Sequence, residues 1–337
     1  MKKTKLIMEE FEKIHNEFLK IKKIDNCLGG ICEKYWIICN DKKYLFKFPD
    51  NNDFSDFGEV FISYLSFLLG FKCVKSRFCD STLLEDKNQE QYVVDDTLQI
   101  VRTGTLIEDF RTKYTKETIS LKWMVERFGR RHFSGFTVRE VYELCQELAN
   151  KRNLKLDKNL LTDLKNMALI DYLTLQVDRH SDNIEFLIEE INGIKTLKLA
   201  PMFDNGFCLF LFKSYNGIKE INNIYSNNEI VPIKSGNYNT PPMFYIESTE
   251  KINNPYLSIV RDLAKELKKN KNLMQIYKNF KELDFEAEIN LLKKLYKKPL
   301  PKIYIETMVL GTKNRIKILD KELKKLFKNK NDEELVF

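Results

Sequence analysis

The sequence predicts an α+β chain in which a small β-rich first third precedes a larger, mostly helical remainder. Three observations predict it. Short β-rich runs punctuated by Gly29-Gly30 and Pro49 fill the stretch up to about residue 105. Helical periodicity dominates from Thr137 onward. One apolar hairpin interrupts the helices: Ile184–Glu190 and Lys195–Leu199 are β-rich runs joined through Asn192-Gly193, a strong two-residue turn signal. At 337 residues the chain most naturally makes one two-lobed unit or two domains, divided as 1–105 and 106–337.

Residues 5–22 read as a charged amphipathic helix, with Leu6, Phe11, Ile14, Phe18 and Ile21 at helical spacing. A Gly29-Gly30 turn then enters a strand through Tyr35-Trp-Ile-Ile, and a second strand, Lys43–Phe48, ends at Pro49. Asp53–Glu59 begins a helix that continues over Val60–Leu69. Ser55 or Asp56 caps it, Glu59 falls in its first turn, and Gly70 closes it. A polar stretch at 80–96 leads to a strand, Thr97–Arg102, and a turn at Thr103-Gly104. Trp123–Phe128 reads as helix as easily as strand. Thr137 and Glu140 form a capping box for a helix over 137–152, and a more apolar helix follows over 158–176. Beyond Phe207 the stretch 214–254 is loop-rich, either a recognition surface or an elaborated loop. Lys-rich amphipathic helices follow at 255–270, 272–279, 284–297 and about 302–328, their Lys runs forming solvated faces.

The chain carries 56 Lys+Arg against 49 Asp+Glu, net +7, a mildly basic balance. It favours acidic ligands such as nucleotide or phosphate surfaces without implying nucleic acid. Hydrophobic residues make up 43%, with only 12 Gly and 8 Pro, which excludes a disordered chain. The seven Cys form no CxxC pair and suit reduced core thiols. No apolar run reaches the roughly 18 residues of a membrane span, and Glu9, Glu10 and Glu12 interrupt any signal-like region. The expected compartment is the cytoplasm, with export by a route that needs no classical signal left open.

The hairpin organises the candidate site. It brings Asn183 at its start beside Asp204 just past its end, because paired strands lie about 5 Å apart. Asp178 precedes Asn183 by five residues, so the three converge. Singly each is an ordinary turn residue; flanking one apolar hairpin, they form the oxygen-rich set that phosphoryl transfer needs. Mg²⁺ takes one or two carboxylates, an amide oxygen and phosphates. The first Asp handles the attacking hydroxyl, and Asn183 and Asp204 hold metal. His180 has only His15 and His132 as companions, so it reads as a loop-stabilising hydrogen-bonder near Asp178. Arg179 pairs either with phosphate or with a neighbouring carboxylate.

Asp178-Arg-His-Ser-Asp-Asn183 followed by Leu-Ala-Pro-Met-Phe-Asp204 resembles the catalytic and metal loops of the HipA-like atypical bacterial serine/threonine kinases. Their pattern is Asp-x-His-x-x-Asn and then a Pro-aromatic-Asp ending. The first half is equally similar to the phosphoinositide lipid kinases; Pro201-Met-Phe-Asp204 tips the balance toward HipA. Gly30-Ile-Cys-Glu-Lys and Phe46-Lys47-Phe-Pro also resemble that family's loop and Lys-x-Pro strand. The short stretch ahead of the glycine turn makes the chain most similar to the short stand-alone type, without an extra N-terminal subdomain.

The resemblance implies a two-lobed, protein-kinase-like fold with ATP and Mg²⁺ as cofactors. Backbone N–H groups at Gly29 and Gly30 would cradle phosphates, Lys47 would add a point charge, and Glu59 would pair with Lys47. The adenine hinge falls around Arg102 on spacing, or at Glu126 on the family-like wording Val125-Glu126-Arg127-Phe128. Cys27 stands near the place of a family Ser that is autophosphorylated, which puts regulation by that route in doubt. The implied partners are a Ser/Thr protein substrate, the chain itself included, and an antitoxin or host protein. The rivals are a phosphoinositide-type lipid kinase and a non-catalytic nucleotide-binding toxin or partner protein.

Overall fold

The computed structural model describes residues 21–25, 34–39, 42–48, 53–80, 103–129, 135–233, 244–246, 255–296 and 298–328. Strands β1 (Ile21–Asp25), β2 (Lys34–Cys39), β3 (Lys42–Lys47), β4 (Ser76–Asp80) and β5 (Thr103–Glu108) form one antiparallel sheet in the order β1-β2-β3-β5-β4. Ile21 and Lys22, expected at the end of a helix, pair with Cys39 and Ile38 instead; the rest of that predicted helix lies outside the described residues. The turn expected at Thr103-Gly104 is strand, because β5 pairs with β3 on one side and β4 on the other.

Helix α1 (Ser55–Leu69) runs between β3 and β4. Phe54, not Ser55 or Asp56, is its N-cap; Asp53 supports the entry instead, its Oδ1 accepting from the N–H of Ser55 at 3.0 Å. Glu59 therefore sits in the second turn. Gly70 closes the helix in the left-handed region as expected. Phe57 and Phe61 anchor α1 on both sides, stacking on Phe78 of β4 at 5.8 Å and meeting Phe285 at 5.2 Å. The hydroxyl of Tyr296 donates to Asp56 at 2.7 Å.

The second sheet has the order β6-β9-β10-β8, from β6 (Thr115–Ser120), β8 (Lys155–Leu156), β9 (Glu185–Ile191) and β10 (Ile194–Leu199). Asn192 and Gly193 both have positive φ, 51° and 76°, as a two-residue hairpin of right-handed twist requires. Around it lie α2 (Leu121–Arg127), α3 (Val138–Arg152, with the Thr137–Glu140 capping box) and α4 (Leu160–Leu173). Glu126 is thus helical. A short parallel pair joins β7 (Phe136–Thr137) to β11 (Phe244–Tyr245). The stretch expected to be loop-rich begins with a helix, α5 (Tyr215–Asn227), whose Ile218, Ile221 and Tyr225 are buried; its many Asn occupy the outer face and mask the period. Helices α6 (Pro255–Lys269), α7 (Lys271–Glu282), α8 (Phe285–Lys293) and α9 (Lys302–Lys328) complete the described chain. No helix among the described residues is long and apolar enough to cross a membrane.

The start of α1 touches the segment after Asp204 backbone to backbone. A Cβ on Gly58 would lie 2.9 Å from the carbonyl oxygen of Gly206 and 3.1 Å from Cys208 Sγ. Gly→Ala inside a helix ordinarily stabilises by up to about 1 kcal/mol. Here overpacking, about 1–3 kcal/mol, outweighs that gain. Gly58→Ala is expected to lower the melting temperature in thermal unfolding; a rise would contradict this packing.

Candidate active site

The loop that carries Asp178 and Asn183 begins where α4 stops. Leu175 has φ 51°, and the backbone N–H of Gln176 turns back to the carbonyl of Asp171 at 3.0 Å. The Gln176 side chain then bridges two loops: its Oε1 accepts from the N–H of Asp178 at 3.0 Å and its Nε2 donates to the carbonyl of Asp204 at 3.4 Å. His180 Nδ1 accepts from the N–H of Asp182 at 3.2 Å and opens a short 3-10 turn, Ser181–Asn183. This is the loop-stabilising role expected of it. Asn183 Nδ2 donates to the Asp178 carbonyl at 2.7 Å, which leaves the amide oxygen as its remaining donor atom for a cation.

Arg179 resolves the alternative left open by the sequence in favour of a carboxylate. Its guanidinium is fully buried and makes five hydrogen bonds. Two go to Asp171, at 3.1 Å each; the others reach the carbonyls of Asn183 (3.3 Å) and Phe203 (2.6 Å) and the side chain of Asn205 (2.6 Å). Burial alone would push the Asp171 carboxyl up, and the charge and bonds of Arg179 oppose it.

Lys47 sits at the end of β3, 8% exposed. Its Nζ donates to Glu59 at 3.2 Å and contacts Asp204 directly. One cation thus serves two carboxylates, and their environments separate them. Full burial raises Glu59 despite Lys47. Burial also works against the Asp204 charge, but Lys47, with Lys34 and Arg179, outweighs it and holds that carboxyl below its usual value. Asp204 is therefore the more acidic member of the pair. Asp178 is raised by burial and by the nearby Asp204, with His180 opposing. Among the described residues no three His, Cys, Asp or Glu form a metal cage. The donor set is instead one carboxylate and one amide oxygen, sparse enough to suit an Mg²⁺ that keeps water and phosphate oxygens.

A cavity of about 270 Å³ opens beside these groups. Trp36, Leu45 and Lys47 line it from the first sheet, Glu108–Arg111 from the chain leaving β5, Thr118 and Glu185 from β6 and β9, and Phe203 and Asp204 from the segment after β10. Phe110 stacks on Phe203 at 5.9 Å, and Arg111 forks onto Asp109 and lies over Trp36. The segment along the cavity is Glu108–Arg111, where the chain leaves β5, beyond Arg102 in sequence. Arg102, Gly29 and Gly30 lie outside the described residues, whereas Lys47, Glu59, Asp178, Asn183 and Asp204 are brought together. The sequence reading did not single out Asp171, Trp36, Phe110 or Glu185. It also took the Asp-Phe-Gly metal motif of ordinary protein kinases to be absent, whereas Asp56-Phe57-Gly58 spells it; the triplet is helical, with Asp56 engaged by Tyr296, and is structural.

The fold is similar to that of a solved kinase. The particular likeness is to CtkA, the Helicobacter pylori proinflammatory kinase, with a TM-score of 0.60, 18% identity, and 92% of this chain covering 98% of that one. HipA of Shewanella oneidensis, in a complex with HipB and operator DNA, also matches, with a TM-score of 0.48, 13% identity, and 94% of this chain covering 71% of that one. No family model and no curated protein sequence matches the chain.

Removing Arg179 would leave Asp171 charged and buried. Arg179→Met is expected to cost about 3–5 kcal/mol in urea unfolding, the range for breaking one side of a buried pair. A loss below about 1 kcal/mol, the value of an exposed pair, would contradict the clamp.

Proposed function

We propose that this chain is an ATP- and Mg²⁺-dependent protein kinase that transfers the γ-phosphate to Ser or Thr, itself included. The observation that carries the reading is Lys47 bridging Glu59 and Asp204 at the edge of a cavity, with Asp178 and Asn183 on the adjoining loop. We divide the chain into two lobes after β5, since residue 105 lies within that strand. The cavity then lies between a sheet lobe and a helical lobe. Glu108–Arg111 faces the base, Lys47 fixes phosphate, and Asp178 accepts the proton of the attacking hydroxyl as its oxygen bonds to the γ-phosphorus and ADP leaves. Asn183 and Asp204 would hold Mg²⁺, which when bound neutralises and orients the phosphates. Gly29 and Gly30 would cover them. The Ser/Thr acceptor and an antitoxin or host-protein partner rest on the motif resemblance, and a cytoplasmic setting rests on the cysteine pattern and the lack of a long apolar run in the sequence.

Two substitutions separate the loop aspartates. Asp178→Asn is expected to abolish turnover with ATP·Mg²⁺ affinity nearly intact, because Asp178 faces the hydroxyl. Asp204→Asn is expected to weaken both, because a charged metal ligand is lost and Lys47 loses a partner. Metal-dependent nucleotide affinity, measured by calorimetry, decides between them; the reverse pattern would overturn the roles. Lys47→Ala should likewise lower affinity while the protein still unfolds cooperatively. Phosphate transfer unchanged in that variant would move the phosphate contact to Lys34 or Lys43.

A further inference from the structure

We propose that Glu185 reads the sugar of the bound nucleotide, its carboxylate accepting hydrogen bonds from the vicinal 2′ and 3′ hydroxyls of ribose. The inference rests on the nucleotide reading of the cavity and adds a specificity-determining residue to it. Position is the first argument. Glu185 is the first residue of β9, two residues beyond Asn183, and two residues span at most about 7 Å. It lines the cavity together with the Glu108–Arg111 segment and lies near enough to feel the charges of Asp109 and Arg111. A nucleotide with its base at that segment and its phosphates at Lys47, Asn183 and Asp204 would have its sugar between them, over Glu185.

Partnering is the second argument. Three of the other cavity carboxylates are engaged: Glu59 and Asp204 by Lys47, and Asp109 by the Arg111 fork. Glu108 ends β5 and belongs to the segment assigned to the base. The Glu185 side chain has no hydrogen bond among the described residues, and Arg111, forked onto Asp109, acts on its charge only from beyond ion-pair distance. Its backbone, by contrast, is fixed: its carbonyl accepts from the N–H of Ala200 at 2.9 Å, and it pairs with Ser120 of β6. An acceptor-only group held in place on a cavity wall is matched by a ligand that brings donors. Along a nucleotide the phosphates bring none and the adenine amino group brings its N–H donors on one nitrogen at the base, whereas ribose brings two adjacent O–H groups that suit the two oxygens of one carboxylate.

The test measures the affinity of the full chain for ATP, 2′-deoxy-ATP and 3′-deoxy-ATP with Mg²⁺, in the unmodified protein and in Glu185→Leu and Glu185→Gln. Either deoxynucleotide is expected to bind about tenfold more weakly than ATP to the unmodified protein, the size of one hydrogen bond to a charged group. Glu185→Leu should bind all three alike, and Glu185→Gln should fall between. Equal affinities in the unmodified protein would overturn the proposal, and that comparison needs no variant to fold. A preference for ribose that survives in Glu185→Leu would also overturn it. ATP that fails to bind at all would instead remove the nucleotide reading, and this inference with it.

Discussion

The geometry of the cleft depends on one buried guanidinium. Arg179 joins α4 through Asp171, the start of the hairpin through the Asn183 carbonyl, and both flanks of Asp204 through Phe203 and Asn205. These three pieces are distant in sequence, yet Asp178, Asn183 and Asp204 hang from them. Only arginine offers five N–H donors in one rigid plane, so the residue between Asp178 and His180 is set by this task. A buried cation costs several kcal/mol in lost hydration. The bidentate pair with Asp171 and three further acceptors offset that cost. The same clamp flanks a left-handed position, Asp204 at φ 52°, and Leu175, Leu209 and Phe210 nearby in the chain also have φ between 51° and 65°. Each such non-glycine residue costs roughly 1–2 kcal/mol.

The second constraint is a shortage of positive charge at Lys47. Two carboxylates share it, and burial acts harder on Glu59 than on Asp204. Helix α1 cannot back Glu59 away from Lys47, because Gly58 already touches Gly206 and Asp56 is held by Tyr296. The metal loop, α1 and the end of β3 are therefore fixed against one another. The position of Asp204 follows from this packing as much as from its own loop.

Much of this was legible in the sequence. The Asn192-Gly193 turn fixed a hairpin, and a hairpin forces Asn183 and Asp204 together. The capping box at Thr137–Glu140 and the Gly70 stop were local signals with local causes, and both stand. Other features had no local signature. The partner of Arg179 is Asp171, eight residues back inside an apolar helix, where nothing marks a carboxylate as buried. The start of α1 is set by contacts from Tyr296 and Leu211 rather than by a capping side chain, so the cap was misassigned to Ser55 or Asp56. Glu185 looks like one more polar residue on an alternating strand; only the cavity gives it a role. In α5 the Asn-rich outer face concealed a helix whose apolar side is short.

The measurement that bears most directly on the account is incubation of the protein with γ-labelled ATP and Mg²⁺, alone and with a generic protein substrate, followed by identification of the labelled amino acid. The account predicts label on Ser or Thr, lost when Mg²⁺ is removed. Label that appears only on phosphoinositide added to the same mixture, or nucleotide that binds with no transfer to any acceptor, would contradict it.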